Sequence, residues 1–125
     1  MISDNENVAR ILRPEWVVSG ILQHYAFVLR RNETYISVNR PAVSSFKDDV
    51  RNFVTAHTGY FADKDRDSYF CAMLNVGKVR QAKVVINGLP LHIEVEVEPR
   101  DTFTKSHAGI FTRYDGKIIK TGDAV

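Results

Sequence analysis

The sequence has a single cysteine, Cys71, which excludes an intramolecular disulfide framework. No stretch approaches the roughly 18 consecutive apolar residues that a membrane-spanning helix needs. The glycines at 20, 59, 77, 88, 109, 116 and 122 stand apart, so no glycine-rich loop is encoded that would cradle a phosphate through its backbone amides. Neither sign of charge dominates: 17 Lys and Arg face 15 Asp and Glu, a net +2, far from the clustered excess of a nucleic-acid module. Metal-binding patterns are missing as well. Asp63, Asp65 and Asp67 alternate like the start of an EF-hand, but Ser68 and Leu74 stand where that loop needs a glycine and a carboxylate. His24, His57, His92 and His107 share no metal-ligand spacing. No metal and no cofactor is expected.

What is present is an ordinary globular composition. Of 125 residues 44% are hydrophobic and 26% charged, enough for one domain with its own core. The start, Met1 to Asn7, is polar and acidic and lacks the basic-then-apolar order of a secretory signal, so a cytoplasmic protein is expected. Residues 1–7 and 121–125 are expected to fray.

Along the chain, Ser3 and Glu6 have capping-box spacing and Val8, Ile11 and Leu12 follow at helical spacing, which predicts a short helix ending before Pro14. Trp16 to Val18 reads as a strand before Ser19-Gly20, or as a helical turn from Pro14. Residues 26–30 and 35–39 alternate around the tetrad 31–34, predicting a hairpin with Leu29 opposite Ile36 and Phe27 opposite Val38. Ser44 or Ser45 then starts the main helix, about residues 45–57, with Asp48 and Asp49 in its first turn. Phe46, Val50, Phe53, Val54 and His57 share one face, and Gly59 is expected in the left-handed terminal position. Tyr69 to Leu74, Val79 to Ile86 and Leu91 to Glu98 read as a meander. In its second pair Lys83 faces Glu94 and Gln81 faces Glu96 around a four-residue loop, which keeps Pro90 out of the ladder. Asp115-Gly116 turns a last hairpin. The fold expected is α+β: a mainly antiparallel sheet of six to seven strands with the main helix on one face.

Candidate chemistry gathers in two places. His107, in the loop Thr104-Lys105-Ser106-His107-Ala108-Gly109, sits where a histidine can serve as general acid or base, with Lys105 and Ser106 beside it to orient an anion. Arg30, Arg31 and Arg40 form a basic group without evident acidic partners. Glu94 and Glu96 form a Glu-x-Glu pair on a strand. Cys71, in an apolar run without a neighbouring cation, reads as a buried thiol.

Arg30, Ser37 and Glu96 stand in the chain order of the arginine–serine–glutamate ADP-ribosyltransferases, a family this trio resembles. The resemblance implies that Arg30 and Ser37 hold a dinucleotide and that Glu96 is catalytic. Ser37 lies in Tyr-Ile-Ser-Val-Asn, not in that family's Ser-Thr-Ser, and the chain is short for that fold.

Two functions are therefore carried forward. The leading one is a small non-catalytic module that binds a protein, small-molecule or nucleotide ligand, with nucleic acid not favoured. The alternative is an enzyme acting on a nucleotide or nucleic acid, with His107 as acid–base, Glu96 or Glu94 as carboxylate and Arg30 or Arg40 as anion clamp. Unpaired sheet edges permit a homodimer.

Overall fold

A computed structural model describes residues 1–29, 33–62, 69–86, 88–98, 101 and 103–118. The chain runs β1 (Asn7–Leu12), a 3-10 turn (Pro14–Trp16), β2 (Val17–Val18), β3 (Ile21–Leu22), a second 3-10 turn (His24–Phe27) and β4 (Ile36–Asn39). Then follow α1 (Phe46–Ala56), β5 (Phe70–Asn75), α2 (Val76–Gln81), β6 (Val84–Ile86), β7 (Leu89–Val97), β8 (His107–Tyr114) and β9 (Lys117–Ile118). One antiparallel sheet has the order β5-β1-β4-β8-β7-β6, with β9 on β8; β2 and β3 form a separate hairpin. The α+β class, the antiparallel sheet and the main helix are as expected. Among the described residues no helix is long and apolar enough to cross a membrane.

Strand alternation gives the sheet two working faces. On one, α1 buries Val50 and Val54 against Ile11 and Phe61. On the other, Val8, Val38, Val95 and Ala108 pack with Ile2 and with Val76 of α2. Leu12, Trp16 and Ala26 form a third cluster. Each large aliphatic or aromatic side chain so buried contributes about 1.5–3 kcal/mol.

The centre of the sheet is unevenly joined. β4 pairs with β8 from Ile36↔Ile110 to Asn39↔His107, but meets β1 only at Ala9↔Asn39. Where the β1 ladder is missing, Arg10 substitutes for it: its Nη1 donates to the Ser37 carbonyl at 2.8 Å and its Nε to the Ala26 carbonyl at 3.2 Å. A guanidinium thus satisfies a backbone acceptor that a neighbouring strand would otherwise serve.

Several local expectations are corrected. The Ser3–Glu6 signal makes a turn and not a helix: the Glu6 carboxylate accepts from the Ser3 amide and the Ser3 hydroxyl from the Asn5 amide, and β1 starts at Asn7. The start of the chain is anchored, with Ile2 2% exposed and the Glu6 carboxylate forked onto Arg40 at 3.0 Å. Residues 24–27 form a 3-10 turn, so among the described residues the 26–30/35–39 pairing is absent (30–32 lie outside them); β4 pairs with β8 instead. Residues 76–81 are helical because the Asn75 side chain caps them, accepting from the Lys78 amide at 3.0 Å. That shortens the predicted strand to β6, which pairs Val84↔Leu91 and Val85↔Pro90 in place of the expected Lys83–Glu94 register. Pro90 is tolerated because β7 meets β8 only from His92 onward. β5 is an edge strand, with Phe70 and Met73 exposed. Gly59 has no positive φ; Gly20, Gly88 and Gly116 do.

Candidate functional site

Ser37 lies on β4 directly opposite Gly109 of β8, and His107 is the diagonal neighbour on the same face. With no side chain at 109 between them, Ser37 Oγ reaches His107 Nε2 at 2.7 Å. On its other side His107 Nδ1 donates to Asp101 Oδ2 at 2.9 Å. Asp101 is itself fixed, because Oδ1 accepts from the Phe103 amide at 3.1 Å and the Thr104 amide at 2.8 Å. The Thr104 carbonyl accepts from the His107 amide at 3.0 Å. The loop therefore wraps around its own carboxylate and delivers it to the imidazole.

Burial opposes ionisation of Asp101, but the bonds from the Thr104 amide, His107 and the Phe103 amide outweigh it and hold the carboxyl below its usual range. An ionised carboxylate only accepts, so the proton of a neutral His107 belongs on Nδ1. Nε2 then presents its lone pair to the Ser37 hydroxyl. That is the hydrogen-bond order of an aspartate–histidine–serine relay, which is recognised by geometry and not by sequence position.

A second set of bonds holds the frame. Asp49, in the first turn of α1, accepts from the Ser45 hydroxyl at 2.8 Å and the Ser106 amide at 3.1 Å. Asn39 donates to the buried Ser106 hydroxyl at 2.9 Å. For Asp49 too, burial raises the pKa while hydrogen bonds from Ser106 and Ser45 lower it further, so it lies below its usual value. The helix start, the 101–106 loop and β4 are thereby tied together around a cavity of about 370 Å³. Ser37, His107 and Asp101 line it; its walls include Asn52, Phe53, His57 and Phe103. His57 closes α1, its amide and Nδ1 both reaching the Phe53 carbonyl, and its ring stacks on Phe53 at 4.0 Å.

The predicted site residues are distributed unevenly. His107 and Ser37 meet in the cavity. Ser106 is buried in its frame and Lys105 is exposed at its rim loop. Glu96 shares the sheet face of His107, across from Gly109, but both its oxygens bind Arg113 at 2.8 and 2.9 Å. Glu94 binds Arg80 and the Val95 amide. Neither glutamate lines the cavity. Arg40 is engaged by Glu6, and Arg30 and Arg31 lie outside the described residues, as does the 63–67 acidic run. Of the ADP-ribosyltransferase-like trio, Arg30 lies outside the described residues, while Ser37 bonds to His107 and Glu96 to Arg113. Asp101 was not singled out by the sequence. Its signal is an aspartate followed by Phe103 and Thr104, a spacing suited to an Asx turn. Among the described residues, no three His, Cys, Asp or Glu side chains gather as a metal site.

Comparison with protein families, curated proteins and solved structures finds no match for this chain.

Proposed function

We propose that the chain is an enzyme whose reactive group is the Ser37 hydroxyl, acting on a small ester in the cavity between α1 and the 101–106 loop. The observation that carries this reading is the unbroken sequence Asp101 Oδ2, His107 Nδ1, His107 Nε2, Ser37 Oγ, with links of 2.9 and 2.7 Å, all three residues lining one cavity. In the step proposed, Ser37 Oγ bonds to the ester carbonyl carbon and its proton passes to His107 Nε2. Collapse of the adduct breaks the bond to the alcohol, which leaves with that proton. Water repeats the sequence and frees the acid, restoring Ser37. Asp101 is a positioning residue: it holds the imidazole tautomer and stabilises the imidazolium. Sequence alone leads with a non-catalytic module; the relay favours the enzyme alternative, with Asp101 in the place given to Glu94 or Glu96 and an ester, not specifically a nucleotide, as substrate.

The test is labelling by a small uncharged fluorophosphonate, read by intact mass and peptide mapping. Stoichiometric labelling of Ser37 is expected, with none in Ser37→Ala. His107→Ala should slow it by roughly 10²–10⁴-fold, the usual worth of a positioned base. An unlabelled wild-type chain, or equal labelling of Ser37→Ala, refutes the proposal.

A further inference from the structure

The gap between β1 and β4 that Arg10 spans holds a second cavity, about 190 Å³ in volume, which shares Ser37, Phe53 and His57 with the first. The two chambers thus have Ser37 and the stacked Phe53–His57 pair in common.

Arg13 is the unusual residue in this second chamber. Its side chain is 18% exposed, and its one ionic contact among the described residues is a distant 3.9 Å approach to Glu15 Oε1. Its guanidinium lies 3.5 Å over the Tyr60 ring and 5.0 Å from Trp16. It makes no hydrogen bond to any described residue. Four other described arginines differ. Arg40 and Arg113 grip carboxylates with both arms, Arg80 holds Asp4 and Glu94, and Arg10 is committed to two carbonyls. A guanidinium has five N–H donors in a planar fork, and leaving them unfilled in a largely enclosed place is costly. The aromatic rings position the fork but supply no lone pairs to it. Glu33 lines the same chamber and has interactions of its own; among the described lining residues two arginines, Arg10 and Arg13, stand against this one carboxylate.

We infer that this chamber is an anion subsite, and that the substrates of Ser37 carry a phosphate or carboxylate that docks on Arg13. The link to substrates rests on the reading of Ser37 as the reactive group, but the anion site stands independently of turnover. Arg13 is placed as the binding residue, with Tyr60 and Trp16 orienting it.

Calorimetric titration with inorganic phosphate and, separately, acetate tests it on the full chain. Wild type should bind the preferred anion, and Ser37→Ala, which keeps Arg13, should still bind it. Arg13→Gln should bind it roughly 10–100-fold more weakly, the worth of a charge-assisted hydrogen-bonded pair. Thermal unfolding of Arg13→Gln with the wild-type cooperative transition reports that the variant is folded. In wild type, the bound anion should slow labelling of Ser37, a readout that needs no substitution. Arg13-dependent anion binding in a chain that takes no label supports the subsite while refuting the Ser37 reading. Failure of both anions to bind wild type, or binding unchanged in Arg13→Gln, overturns the inference.

Discussion

Gly109 is the position where one added carbon should do the most damage. A Cβ placed there lies 2.6 Å from Tyr35 Cδ2, 3.0 Å from Tyr35 Cγ and 2.8 Å from Phe111 Cε2, distances that real side chains do not sustain. Tyr35 Cγ is at the root of its ring, so rotation cannot clear it. Phe111 is 5% exposed and its ring lies 4.9 Å from that of Tyr35, so neither has room to swing. Overpacking of this kind costs about 1–3 kcal/mol. Against it, alanine restricts the unfolded chain and returns about 0.4–1 kcal/mol. The steric effect wins, leaving Gly109→Ala less stable by about 1–2 kcal/mol. For 125 residues, an unfolding entropy near 2.1 cal/mol/K per residue converts this to a fall of roughly 4–8 °C in Tm. Thermal and urea unfolding measure it, with Gly59→Ala as the control. An added methyl at position 59 meets nothing within 4 Å, and the residue has no positive φ, so that variant should be neutral or slightly more stable. Because the Tyr35 ring is 5.9 Å from His107, Gly109→Ala should also slow labelling of Ser37. A Gly109→Ala chain as stable as wild type would refute the packing argument.

Two further outcomes follow from the titrating groups. The Glu6 carboxyl is lowered first by its hydrogen bond from Arg40; in Glu94 burial raises the value but the bonds from the Val95 amide and Arg80 win, as hydrogen bonds do in Asp49 and Asp101. Folded values below unfolded ones mean stability that is complete above the ordinary carboxylate range and is lost as pH falls through the lowered values. The urea midpoint should therefore be flat above about pH 5 and decline below about pH 4, less steeply in Glu6→Gln; a midpoint unchanged down to about pH 3 contradicts this. Burial pushes the Cys71 thiol up, so a disulfide reagent should modify it slowly in the native chain and rapidly in urea; equal rates would contradict its place on the α1 side of β5.

The elements most legible in the sequence are those whose pattern is local. α1 announces itself through its capping region, first-turn aspartates and apolar face, and the β8–β9 turn through Asp115-Gly116, both at positive φ. The failures are elements whose partners are remote. Nothing near residue 36 says that β4 will pair with β8, some seventy residues on, instead of with its own neighbour. The Ser3–Glu6 spacing satisfies the same backbone donors whether a helix or a strand follows, so it marks a turn without specifying its continuation. Asn75 caps a helix, Val76–Gln81, whose last residues from Val79 onward an alternating reading takes into the strand Val79 to Ile86. At the site, His107 and Ser37 were visible as residues, but the bond between them depends on the β4–β8 register. Asp101 became meaningful only when the loop folded around it.

The same register explains why the cavity lies where it does. Both faces of β4 and β8 look toward covered layers, and a strand so placed is ordinarily apolar on each side. Here the alternation is obeyed on one side only: Val38 and Ala108 enter the core beneath α2, while Ser37, Asn39, His107 and Gly109 occupy the side toward α1. Had that side been apolar, α1 and the 101–106 loop would close on it as α1 closes on Ile11 and Phe61. Polar side chains need partners instead. Asn39 finds Ser106, and His107 finds Asp101 and Ser37, and these bonds hold the loop on β4 while Asp49 ties it to the helix start. The cavity is the space that remains. A departure from the packing pattern in the middle of the sheet, compensated by a fully bonded frame, is where a folded chain is expected to keep its chemistry. It places the Ser37 hydroxyl on a central strand of the sheet, with the loop and helix groups arranged around it.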